Sequence, residues 1–131
     1  MREDQDVSFT DFNVLIVEDE HLVAMALAED FEAAGAIVIG PAASIETALI
    51  LLRDAARIDA AILDIQLQHE LVYPLADVLM RHGVPFIFTS GHAAEVVPSE
   101  YAAILQCEKP ALTRDVVRTL LRCLQASGRS L

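Results

Sequence analysis

Apolar runs that stop abruptly at an acid or a hydroxyl recur along this chain, with amphipathic stretches between them. Val14-Leu15-Ile16-Val17 runs into Glu18-Asp19-Glu20, and Ala60-Ala61-Ile62-Leu63 runs into Asp64. Short runs of this kind predict strands buried on both faces, the pattern of a parallel sheet. After the first strand, Val23, Leu27, Phe31 and Ala34 fall at helical spacing, with Gly35 as the C-terminal stop. Ile37-Val38-Ile39 predicts a second strand, closed by a Gly40-Pro41 turn. Ser44 is the N-cap of a second helix whose inner face carries Ile45, Ala48, Leu49 and Leu52.

A third helix is predicted from about Tyr73, with Pro74 in its first turn, burying Leu75, Val78 and Leu79 before Gly83. Pro85 to Thr89 is the fourth strand, with proline tolerated at its first residue. Ala93 to Val97 allows only a short helix before Pro98, and Ala103 to Cys107 is the fifth strand. Thr113 caps a last helix that buries Val116, Val117, Leu120, Leu121 and Leu124. The expected fold is α/β: a doubly wound, five-stranded parallel sheet of flavodoxin-like strand order 2-1-3-4-5, with helices on both faces. Residues 1–12 read as a polar leader, 13–126 as one domain and 127–131 as a frayed tail.

Composition narrows the functional classes. Of 131 residues 54% are hydrophobic, which suits a sheet covered on both faces, yet the longest strictly apolar run, Leu22 to Ala28, is too short to cross a membrane. The acidic start lacks the pattern of a signal peptide, and Cys107 and Cys123 lie in apolar segments, as reduced core residues do. These features lead us to expect a cytoplasmic protein. A net charge of −11 argues against nucleic acid as a partner. Lys109 is the sole lysine, placed directly before Pro110.

Open α/β sheets bind ligands beyond the carboxyl ends of their strands. In the order 2-1-3-4-5, four neighbouring strand ends present Glu18 and Asp19, then Asp64, then Thr89 and Ser90, then Lys109. Clustered carboxylates call for a cation, and hard divalent ions of the Mg²⁺ type suit their oxygens. With a lysine and a hydroxyl added, the set can handle a phosphoryl group, and an aspartate can serve as the nucleophile. Asp64, a single acid at the end of the central strand, is the best placed.

These residues carry a resemblance. Val14-Leu15-Ile16-Val17-Glu18-Asp19-Glu20, Ala61-Ile62-Leu63-Asp64, Pro85-Phe86-Ile87-Phe88-Thr89-Ser90-Gly91 and Glu108-Lys109-Pro110 follow one another as in the receiver domain of two-component response regulators, which the chain resembles over about residues 12 to 125. The resemblance implies that Asp64 is the phosphoacceptor, and that Glu18, Asp19, Asp64 and the Gln66 carbonyl hold Mg²⁺. It also implies that Ser90, with Thr89 as the second candidate, follows the phosphoryl group, and that Lys109 contacts it. The implied phosphodonor is a histidine kinase or a histidine phosphotransfer protein. The output is then a protein-binding surface read by a downstream protein partner, with a homodimer left open. Such a protein is not an enzyme in the usual sense, although it catalyses its own phosphoryl transfer.

The chain departs from the usual receiver pattern in three places. The stretch from Ile65 to Pro74 lacks the usual tight loop with proline and glycine, Gln106 stands where an aromatic switch residue is common, and Ala111 replaces an aromatic after Lys109-Pro110. Together with Pro85 to His92, the altered loop is similar to the receiver group named FAT GUY. Gln66 and His92 are expected to tune phosphate lifetime, while His21, His69 and His82 read as surface residues. The alternative is a degenerate receiver acting as a phosphate-independent interaction module. A haloacid-dehalogenase-type phosphatase would need a second aspartate where Gln66 stands, and a flavodoxin-like FMN binder would not place Glu18-Asp19-Glu20 beside a phosphate.

Overall fold

The computed structural model describes residues 9–91, 97–109 and 112–126. The elements are β1 (Asn13–Val17), α1 (His21–Ala33), β2 (Ile37–Ala42), α2 (Ile45–Asp54), β3 (Ala60–Asp64), β4 (Gln66–Leu67), β5 (Glu70–Leu71), α3 (Tyr73–Arg81), β6 (Phe86–Ser90), β7 (Gln106–Glu108) and α4 (Thr113–Ala126). A 3-10 helix, Ser99–Tyr101, lies between β6 and β7. One parallel sheet has the order β2-β1-β3-β6-β7, which is the expected 2-1-3-4-5 renumbered for the short β4–β5 hairpin. Val14–Val17 pair in step with Ala60–Leu63, and Ala61–Asp64 with Phe86–Thr89, so the carboxyl ends share one edge.

The sheet divides the interior into two cores. Leu15, Val17, Ala61, Leu63, Phe86 and Phe88 face α2, α3 and Tyr101. Val14, Ile16, Ala60, Ile62, Ile87 and Cys107 face α1 and α4. Burial on both faces removes nearly all of these side chains from water, worth about 1.5–3 kcal/mol for each large one. Among the described residues no helix is long and apolar enough to cross a membrane. Cys107 and Cys123 are both free thiols.

Local chemistry sets the helix ends. Ser44 caps α2 by accepting the Thr47 N–H at 3.1 Å. α1 closes at Ala33, and Gly35 takes the left-handed φ of +97° that ends the helix. Tyr73 begins α3 with Pro74 in its first turn, as expected.

Several expectations are corrected. β2 does not stop at Gly40-Pro41 but runs through a cis peptide there to Ala42. β2 is an edge strand, where a proline costs no ladder bond, and a side chain at Gly40 would meet Ala42 N at 2.9 Å. The fifth strand is Gln106–Glu108, not Ala103–Cys107, because the chain is still turning after the 3-10 helix. In α2, Leu49 is exposed and Leu51 packs inward in its place. Val78 and Leu121 are only partly buried, and Thr113 lies within α4, its hydroxyl bonded to Asp30. Phe9, read as part of the polar leader, is fully buried against Phe31, with ring centroids 5.5 Å apart. Most of the predicted short helix, Ala93 to Val97, lies outside the described residues, as do His92, Pro110 and residues 127–131.

Candidate functional site

Glu18 follows β1 and is 2% exposed. Its N–H donates to the Ala42 carbonyl at 2.9 Å, so the extension of β2 through Pro41 is what holds this acid in place. Glu18 Oε2 accepts the Glu20 N–H at 3.0 Å. The N-cap residue of α1 is Glu20, without a side-chain cap bond, so neither Glu18 nor Asp19 fills that position.

Asp64 ends β3 and is 3% exposed. Its Oδ1 accepts the Gln66 N–H at 3.3 Å, and the Ile65 N–H donates to the Thr89 carbonyl at 2.9 Å, joining β3 to β6 at the site. Carboxylate oxygens of Glu18, Asp19 and Asp64 lie within 4.8 Å of one another.

Lys109 enters from the end of β7, anchored by its N–H to the Ser90 carbonyl at 2.6 Å. Its ammonium reaches three acids. It lies 3.0 Å from Asp64 Oδ2, 2.9 Å from Glu18 Oε1 and 3.2 Å from Glu20 Oε1. Burial pushes Glu18 up to about 7, with the negative charge of Asp64 adding to the effect and the Lys109 hydrogen bond opposing it. Asp64 is raised too, chiefly by burial, again against Lys109. Burial works against the charge on Lys109, but its bonds to Glu18 and Asp64 outweigh it and hold the lysine above its ordinary value. One cation among buried carboxylates leaves the pocket short of positive charge, which is the electrostatic condition for taking up a divalent ion.

β6 contributes two consecutive hydroxyls. Thr89 follows Ile87 on the side of α1 and α4, whereas Ser90 follows Phe88 towards α2 and α3. Thr89 Oγ1 has no hydrogen-bond partner among the described residues. It lines a cavity of about 410 Å³, together with Glu18, Val23, Leu27, Lys109 and Val116. Gln66 turns away along the hairpin, its side-chain amide donating to the Leu67 carbonyl at 2.9 Å.

No family model and no curated protein matches the sequence. Solved structures do. SdrG from Sphingomonas melonis Fr1 is 33% identical, over 87% of this chain and 97% of that one, with a TM-score of 0.75. A response regulator receiver protein from Sinorhizobium medicae WSM419 is 24% identical, over 91% and 98%, with a TM-score of 0.74. The chain belongs to the receiver domain family of response regulators. The fold of this receiver also matches the response regulator PhyR from Brucella abortus, at 21% identity and a TM-score of 0.77, over 95% of this chain and 52% of that one.

The receiver fold thus brings together Glu18, Asp19, Asp64 and Lys109 as the sequence predicts, with Thr89 and Ser90 at the same sheet edge and Gln66 beside Asp64. His92 lies outside the described residues. Sequence reasoning gave no role to Glu20, which shares the Lys109 ammonium. The signal was there, since Glu20 extends the acidic run by one residue.

Proposed function

We propose that this receiver accepts a phosphoryl group on Asp64 from a histidine kinase or a histidine phosphotransfer protein. A carboxylate oxygen of Asp64 attacks phosphorus, the phosphorus–nitrogen bond of the phosphohistidine breaks, and the imidazole leaves with the bonding pair. The observation that carries this reading is the Lys109 ammonium, 3.0 Å from Asp64 Oδ2 inside a pocket of three acids. Glu18, Asp19, Asp64 and the Gln66 carbonyl form an all-oxygen donor set that suits Mg²⁺. When bound, the ion supplies positive charge to neutralise the phosphoryl oxygens.

Lys109 holds a phosphoryl oxygen and adds its positive charge to that of the ion. The Ser90 hydroxyl hydrogen-bonds the phosphoryl group and draws the end of β6 with it, shifting a surface that a partner protein reads. The sequence pattern is similar to that of the FAT GUY group, and Gln66 and His92 tune the lifetime of the aspartyl phosphate. The protein works in the cytoplasm, either alone or as a module of a longer chain.

Intact mass after incubation with Mg²⁺ and acetyl phosphate tests the reading. A Mg²⁺-dependent phosphoryl adduct that is absent in Asp64→Asn is the expected result. No adduct in the wild type, with acetyl phosphate or with histidine kinases, would overturn it.

A further inference from the structure

The segment after Asp64 forms a hairpin with only two residues in each strand, Gln66 pairing with Leu71 and Leu67 with Glu70. A hairpin this short is marginal by itself, and each residue left loose gains about 1–2 kcal/mol of backbone entropy. Its base is fixed by apolar burial of Ile65, Leu67 and Val72, and by the Val72 N–H donating to the Ile65 carbonyl at 2.9 Å. Its far end is fixed differently. Glu70 Oε2 accepts the Ile45 N–H, in the first turn of α2, at 2.9 Å.

That bond answers a need on each side. The first N–H groups of α2 have no partner within the helix, and Ser44 Oγ takes only the one from Thr47. A carboxylate at a helix N-terminus gains from the dipole and from a charge-assisted hydrogen bond. In return the hairpin is tied to a rigid element at the strand that pairs with Gln66 and Leu67. Gln66 is thereby held from three directions: by its own N–H to Asp64, by pairing with Leu71, and by the tie through Glu70.

We propose that Glu70 is a positioning residue. By anchoring the hairpin to α2 it fixes the Gln66 backbone beside Asp64, and so sets how tightly the acidic pocket takes up Mg²⁺. This rests on the proposed reading of that pocket, in which the Gln66 carbonyl is a ligand. It assigns to one side chain the rigidity for which the segment has no proline-and-glycine loop.

Calorimetric titration of the unphosphorylated full chain with Mg²⁺ tests it, alongside amide hydrogen exchange across Ile65 to Val72. Glu70→Ala is expected to weaken Mg²⁺ binding by about tenfold, the low end of what losing an outer-shell support costs, and to speed exchange in the hairpin. Glu70→Gln keeps an oxygen that can accept the Ile45 N–H and is expected to restore most of the affinity. A role confined to capping α2 would lower the melting temperature and leave Mg²⁺ affinity unchanged, and that result overturns the proposal. If the wild type takes up no Mg²⁺, the reading of the pocket fails and the proposal with it. Faster hairpin exchange in Glu70→Ala would then show that the anchor alone is real.

Discussion

Lys109 and Asp64 meet at 3.0 Å, Nζ to Oδ2, although Asp64 ends β3 and Lys109 follows β7, with β6 between the two strands. The same ammonium touches Glu18, so removing it strands two buried acids at once. Lys109→Met is therefore expected to lower stability by about 3 kcal/mol, the low end of the scale for breaking a buried pair from one side. Adding Asp64→Asn should return part of that loss by deleting one of the stranded charges. Urea midpoints of the two single variants and the double variant provide the check, and a double variant no better than Lys109→Met would contradict the argument.

The raised Glu18 makes the metal-free protein sensitive to pH in a definite direction. In the unfolded chain this carboxyl titrates near its ordinary 4.5, and in the folded protein near 7. Between those values the native state holds a proton that the unfolded state has released. Stability from this group is thus fully present below pH 4.5 and is lost as pH rises to about 7, at a slope of at most about 1.4 kcal/mol per pH unit. Urea unfolding in EDTA at several pH values should show a steeper decline for wild type than for Glu18→Gln. Equal slopes would mean that Glu18 is ionised at its ordinary pKa.

Thr89 offers a substitution expected to help rather than harm. Its buried hydroxyl has no hydrogen-bond partner among the described residues, and valine has nearly the same shape. Thr89→Val should leave stability unchanged or raise it by about 1 kcal/mol, since it removes a buried polar group that has no hydrogen-bond partner among the described residues. Thermal melting decides the sign, and a loss above that size would show that the hydroxyl has a partner.

The sheet and its acidic edge were legible because β1, β3 and β6 are buried on both faces, so their sequences are apolar until the polar residues that line the pocket at their carboxyl ends. The misplaced details have the opposite character. Leu49-Ile50-Leu51-Leu52 is apolar at every position, so it carries no helical phase, and packing alone selects Leu51 over Leu49. Gly40-Pro41 carries the signature of a turn, and only the position of β2 at the sheet edge lets the strand pass through it. β7 is three residues long, and its bounds follow from pairing with Phe88, Thr89 and Ser90 rather than from its own hydrophobicity. Phe9, amid polar neighbours, gave no periodic signal at all.

Tyr101 shows another feature that local sequence conceals. It stacks on Tyr73 with centroids 5.1 Å apart, meets Phe88 edge-on at 6.1 Å, and donates its hydroxyl proton to Asp77. Tyr101→Phe keeps the ring contacts and loses the hydrogen bond, for an expected cost of about 0.5–3 kcal/mol with the carboxylate as acceptor. Tyr101→Ala also empties the space of the ring, for about 3–5 kcal/mol. Denaturant midpoints of both variants separate the two contributions, and a neutral Tyr101→Phe would show that the ring alone matters.

A sheet with α2 and α3 on one side and α1 and α4 on the other is a partition between two separately filled rooms. A cavity opened at Ile16 can be refilled from Leu27 or Leu120, which share its room, and not from Phe88 beyond the wall. Paired core substitutions should therefore couple within a room and add independently across it. The interior of this receiver can drift in two independent directions while the rim where the strands end keeps its acids in place.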